Sequence, residues 1–263
     1  MLQTLKYAVA TACFSGNLKE RLKAAADAGA SAVQFDLREE LRPDDLSESG
    51  RRQFLHLMRE RGLSVASVTF PLRRSLTDVT ELDARMNALR RGLEFAHQLG
   101  AATLSVRIGS LPTAEDAAGQ QLLREVLSDL ARYANHVGTA LAIVSQRESP
   151  DRYRELLTSI QTGPIGLDFD PSVFAVNGQP AHQVFRALHD LVLHVTARDA
   201  MRDYDESTRE VVLGRGEVDW IEFLPLLLEA DYAGWITVQR TQGEDRAGDA
   251  RRALVYLQNV LFS

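Results

Sequence analysis

Cysteine occurs once, as Cys13, and lysine three times, as Lys6, Lys19 and Lys23. One thiol excludes a disulfide framework and any cluster of thiolates around a metal, and it is compatible with a reducing compartment. Its simplest role is that of a small apolar residue in a strand. With 30 Lys+Arg against 36 Asp+Glu the formal net charge is −6, and no basic run interrupts it. A duplex nucleic acid or an anionic membrane surface would meet no electrostatic footprint, so neither is expected as a partner. No window approaches the roughly 18 apolar residues that a membrane-spanning helix needs. The opening MLQTLKYAVATACFSGNLKERL has no continuous apolar stretch of the kind a secretory leader carries, and a cytoplasmic location is expected. Also missing are HExxH, CxxC, a phosphate-binding Walker loop and Gly-x-Ser-x-Gly, so those chemistries lack their residues. No Pro/Gly/Ser-rich linker or composition shift divides the chain, and one domain over 1–263 is the economical organisation.

What is present is an ordinary globular balance, 45% apolar and 25% charged, arranged as a strict alternation. Short β-branched runs at 7–14, 32–37, 64–70, 102–108, 140–146, 165–170, 191–197 and 235–240 predict eight strands. Between and after them, helical periodicity predicts helices from Leu18 to Ala28, Glu48 to Arg61, Leu82 to Leu99, Ala114 to Val137, Asp151 to Ile160, Ala181 to Leu188, Trp220 to Ala230 and Asp245 to Leu261. Gly29, Gly62, Gly100 and Gly138 stand where helices should stop through a left-handed residue. Eight strand–helix pairs without a Gly-rich first turn predict an α/β fold, a single (β/α)8 TIM barrel, rather than a doubly wound open sheet. The longest loop, about 201–219, belongs to a strand-to-helix connection.

In such a barrel the site is built where strands end. Those positions hold Asp36, Arg38, Arg73, Arg74, Arg107, Gln146, Arg147, Asp168, Asp170, His194, Arg198, Asp199, Gln239 and Arg240. Arginines outnumber carboxylates, and a guanidinium forks onto carboxylate or phosphate, so a small polar, anionic, sugar-like ligand is expected. Individual arginines can equally serve as partners of Asp36, Asp168 or Asp199. His56, His97, His136, His182 and His189 fall in helical segments, whereas His194 is on a strand and faces the same way as Thr196.

The segments IGLDFDPSVF (165–174), LVLHVTARDAM (191–201), VVLGRGEVDWIEFLPLLLEADYAGWITVQ (211–239) and, less specifically, LKAAADAGASAVQFDL (22–37) resemble the xylose isomerase-like TIM-barrel superfamily of sugar isomerases and epimerases. The resemblance extends over essentially the whole chain. It implies a divalent cation held by Glu on strand 5, Asp on strand 6, His on strand 7 and Glu on strand 8. This sequence instead has Val144 followed by Gln146, then Asp170 with Val173 three residues on, His194-Val195-Thr196, and Gln239. Only Asp170 matches clearly. No tightly bound cofactor is therefore expected, and the family's Mn, Mg or Zn would return only if the strand alignment were displaced or Glu148 reached back. The resemblance implies a sugar, sugar-phosphate or sugar-acid isomerase or epimerase that lacks most of the metal ligands. Asp170 and His194 would be its catalytic pair, and Arg107, Gln146, Arg198, Gln239 and Arg240 would bind substrate. The alternative is a non-catalytic sugar-binding or regulatory barrel. Asp199 and Asp219 have a simpler use as caps of the long seventh loop. A homodimer through exposed helices is compatible with this kind of barrel.

Overall fold

Strands that are apolar along most of their length can be buried on both faces only if helices cover the outside and side chains fill the inside. A computed structural model describes residues 4–260, and its eight barrel strands obey that requirement. They are β1 (Lys6–Ala10), β2 (Ala32–Asp36), β3 (Ser64–Phe70), β4 (Thr103–Val106), β5 (Ala140–Val144), β6 (Ile165–Phe169), β7 (Val192–Ala197) and β10 (Trp235–Val238). All pair in parallel, each beside its predecessor in the ring, and β1 pairs with both β2 and β10 to close it.

Around the barrel run α1 (Leu18–Asp27), α2 (Glu48–Glu60), α3 (Leu82–Leu99), α4 (Ala117–Val137), α5 (Pro150–Thr158), α7 (Ala181–Leu188), α8 (Trp220–Glu229) and α9 (Arg246–Val260). Local chemistry sets their ends. Asn17 and Glu20 form a reciprocal capping box at the start of α1, and Gly100 and Gly138 end α3 and α4 with φ of 76° and 83°, a region that costs a side-chain-bearing residue. The expected end of the last helix, Leu261, lies outside the described residues.

Three local expectations change. The first strand stops at Ala10, because Thr11–Cys13 coil into a 3-10 turn in which the Thr11 hydroxyl bonds Gln34 O and the Glu40 carboxylate. Cys13 is thus in a turn, not a strand. The connection after β7 is more than a loop: β8 (Asp199–Arg202) and β9 (Thr208–Val211) form an antiparallel hairpin within it. A short helix, α6 (Pro171–Ala175), follows β6 directly.

The main core lies between barrel and helices. Phe169 on β6 stacks on Phe174 and Phe223 and meets Phe185 edge-on, which ties α6, α7 and α8 to one strand. Near the strand N-termini the lumen is plugged separately by Ala8, Ala32 and Ala66 packed against Trp235.

Candidate active site at the barrel mouth

Alternate residues of each strand face the lumen, and register decides which of them meet. Gln34, Ser67 and Thr103 are register partners across β2, β3 and β4, while Asp168 is level with His194 across β6 and β7. Gln34 Nε2 donates to Ser67 Oγ at 2.8 Å and stands 3.3 Å from His194 Nε2. Because β2 and β7 are not neighbours in the ring, that contact crosses the interior. An amide donor there makes His194 Nε2 an acceptor, and burial lowers the imidazole's pKa, so the ring is neutral. Thr196 donates to Asp168 Oδ1 at 2.7 Å. The middle of the barrel is therefore a buried polar layer.

Asp170 stands two residues beyond Asp168, just past the end of β6, at the mouth. Its backbone N–H donates to Ser145 Oγ at 2.7 Å. Its Oδ1 accepts from Ser172 N at 3.0 Å and Ser172 Oγ at 2.6 Å, capping α6. Oδ2 faces Arg198 Nη1 at 3.4 Å, and Arg198 Nη2 is 3.3 Å from Glu210 Oε2. Glu210, delivered by the hairpin, also accepts from Arg240 Nη1 at 3.1 Å, Thr241 N at 2.8 Å and Thr241 Oγ1 at 2.6 Å. Arg240 Nε in turn reaches Asp249 Oδ2 at 2.9 Å. The result is an unbroken chain of alternating charge, Asp170–Arg198–Glu210–Arg240–Asp249. Burial raises the pKa of Asp170, and that outweighs the opposing pull of Arg198 and Ser172.

The residues singled out in the sequence separate accordingly. Asp170 and Arg198 come together. His194 does not join them; it sits one layer deeper, facing Gln34 and Ser67. Arg240 is at the mouth but is buried and bound to two carboxylates. Gln239 is half-buried beside it, its N–H donating to Ala197 O. Arg107 is exposed and forms no ion pair among the described residues. Gln146 braces two loops, with its Nε2 donating to Gly109 O at 2.8 Å. Glu148 is held by Arg152 Nη1 at 2.7 Å, away from the Asp170 chain. Sequence reasoning missed Glu210 and Asp249 as well as the lumen pair Gln34 and Ser67. No local pattern marks Glu210, since TREVV does not alternate, whereas polar residues inside apolar strands were the signal for the lumen pair.

The loop that carries Glu210 is organised by Asp199. Its carboxylate accepts from Gly214 N at 2.9 Å, Gly216 N at 3.0 Å, Val218 N at 3.3 Å and Trp220 Nε1 at 3.4 Å. Asp219 caps α8 through Glu222 N. The Leu-Gly-x-Gly-x-x-Asp-Trp stretch is thus a wrap around one buried carboxylate.

Val144 has no ligating atom, the Thr196 hydroxyl is spent on Asp168, and the open side of Asp170 faces a fixed guanidinium. Among the described residues no three His, Cys, Asp or Glu side chains are grouped to hold a metal ion, and such an ion needs charged oxygen donors to offset its dehydration. The described residues also contain no helix long and apolar enough to cross a membrane.

The profile of the xylose isomerase-like TIM barrel family matches residues 22–260. An inosose dehydratase from Lactiplantibacillus plantarum is 26% identical over 137 residues, which is 47% of this chain and 44% of that protein, so the match spans less than half the length of the relative. Among solved structures, a xylose isomerase-like TIM barrel protein from Mycobacterium smegmatis in complex with magnesium superposes with a TM-score of 0.80 at 18% identity, covering 98% of this chain and 97% of the other. D-psicose 3-epimerase with D-tagatose, from Clostridium cellulolyticum H10, gives 0.81 at 12% identity, covering 98% and 99%.

Proposed function

Because this chain belongs to the xylose isomerase-like TIM barrel family, we propose that it binds a small, polar, sugar-like molecule at the barrel mouth and acts on it with Asp170 and Arg198. The observation that carries this reading is the placement of Arg198. Its guanidinium is fixed between Asp170 and Glu210, yet a quarter of the side chain, 25%, remains exposed. A cation so held is an electrostatic substitute for the family's metal: it can donate to a carbonyl oxygen and stabilise the enediolate that forms when a neighbouring carbon loses a proton. Asp170 Oδ2 is the adjacent base, and the proton it takes from one carbon can be returned to the next. One carboxylate works on one face of the substrate. That suits isomerisation, or dehydration of the kind named for the inosose relative, better than epimerisation, which needs groups on both faces. Arg107 and Gln239 would orient the substrate from the rim, Arg240 would act through Glu210, and His194 and Gln146 would support the barrel rather than touch the reacting carbons. No step runs through a metal, for which the residues are unsuited.

The test is turnover of inosose, D-psicose, D-tagatose and D-fructose by chelator-treated protein. Activity should survive the chelator. Asp170→Asn should lower it by at least about 100-fold, the scale of general base catalysis. Since the base must be ionised, kcat/KM should rise with pH through an inflection above the ordinary carboxylate range. Full activity of Asp170→Asn, or activity that appears only on adding a divalent cation, overturns the reading. The non-catalytic alternative is favoured by one observation, the engagement of both Asp170 oxygens, and would show as thermal stabilisation by one of these sugars without product.

A further inference from the structure

The arginines expected to anchor an anion at the mouth, Arg198 and Arg240, are neutralised by carboxylates. The unneutralised ones lie elsewhere on the rim. Two hollows of about 290 and 620 Å³ share Arg38, Phe70, Arg73 and Ala88 as walls, between the loops that follow β2 and β3 and the outer face of α3. Six arginines line them, at positions 38, 42, 73, 74, 85 and 91, against the acids Glu39, Asp44 and Glu81. Arg74 is paired with Asp78 at 3.1 Å, and Arg91 approaches Asp44 at 3.7 Å. Arg38, Arg42, Arg73 and Arg85 have no carboxylate within ion-pair distance among the described residues.

Three of these four are nevertheless held in place. Arg38 Nη1 donates to Pro71 O at 3.0 Å, with the guanidinium 6.0 Å from the Phe70 ring centre. Arg42 Nε donates to Arg38 O at 2.9 Å, and Arg85 is clasped by the carbonyls of Thr80 and Asp78. A carbonyl orders a guanidinium without cancelling its charge, so the fold aligns cations and leaves their remaining N–H groups for something else. Phe70, Leu72, Ala84 and Ala88 add an apolar wall. We infer that this groove is an anion site, separate from the Asp170–Arg198 mouth, that takes a small organic phosphate: the arginines grip its phosphoryl oxygens and the apolar wall takes its carbon skeleton.

Calorimetric titration with inorganic pyrophosphate tests it, with citrate as the carboxylate counterpart. Pyrophosphate should bind one to one, more weakly as ionic strength rises. Arg73→Gln should weaken it by roughly tenfold, the loss of one charge-assisted contact. Arg73 is exposed and forms no hydrogen bond among the described residues, so this variant should fold as the parent does, and equal melting temperatures without ligand check that. Arg38→Gln with Arg73→Gln should abolish binding, whereas Arg198→Gln should leave it unchanged. Binding that persists in the double variant, that is lost with Arg198→Gln, or that is absent in the parent overturns the site. Citrate binding more tightly than pyrophosphate overturns its assignment to phosphate.

Discussion

Cys13 lies against the mouth, its sulfur accepting from Arg240 N at 3.2 Å, yet burial pushes its thiol up to about 12. A thiol that far above neutrality holds almost no thiolate, and the thiolate is the reactive form. Native protein at pH 8 should therefore leave Ellman's reagent unreacted over minutes while denatured protein reacts in full; stoichiometric reaction of the native state would show the turn to be open. At the same scale, two buried residues that look alike in the sequence do different work. Asp168 accepts from Thr196 inside the lumen, and Asp170 faces a cation at its edge. Two residues of separation along a strand preserve the face but change the depth, and depth sets which partners each carboxylate can reach.

The element that most changes the site is the β8–β9 hairpin. It carries Glu210 over the mouth, and Glu210 is what joins Arg198 to Arg240. The hairpin's return to α8 depends on the Asp199 wrap, where Gly216 leaves room that no side chain could share: a Cβ there would stand 2.1 Å from Asp199 Oδ1 and 2.5 Å from Ala200 O. Gly216→Ala should cost about 2–4 kcal/mol, because the clash breaks several hydrogen bonds to a buried carboxylate at once. Urea unfolding measures it; a change under 0.5 kcal/mol would mean the loop relaxes freely. The paired residues Thr208 to Val211 show no apolar–polar alternation, so nothing in the sequence outweighs the reading as a loop until a partner strand is seen.

For the whole molecule, closure is visible in Tyr7, which joins the two ends of the chain, while Tyr153 braces a nearby loop. Tyr7 on β1 donates to Leu257 O on α9 at 3.0 Å, and Tyr153 Oη bonds Gln146 N at 2.7 Å. Burial raises both phenols to about 12, above the ordinary value near 10. The unfolded chain then releases these protons first, so stability is intact below pH 10 and falls as pH rises from about 10 to about 12. Unfolding free energies measured across that range should decline, and less steeply in Tyr7→Phe with Tyr153→Phe; an identical slope in the double variant would place the alkaline loss elsewhere. The barrel itself was legible in the sequence, because a strand buried on both faces, a helix with one apolar stripe and a glycine at a helix end are properties of short stretches. Asp199 and Asp219 as loop caps were legible for the same reason. The partners of Arg198 and Arg240 were not. Glu210 and Asp249 come from a hairpin and a helix that the sequence alone does not orient toward the mouth, and the contact of Gln34 with His194 spans the lumen between strands that are not neighbours. Local sequence determined that cations would gather at the strand ends. Only the tertiary structure decided which of them meet a carboxylate, because that depends on the β8–β9 hairpin folding over the ends of the neighbouring strands β6, β7 and β10 and on the depth and direction of the side chains gathered there.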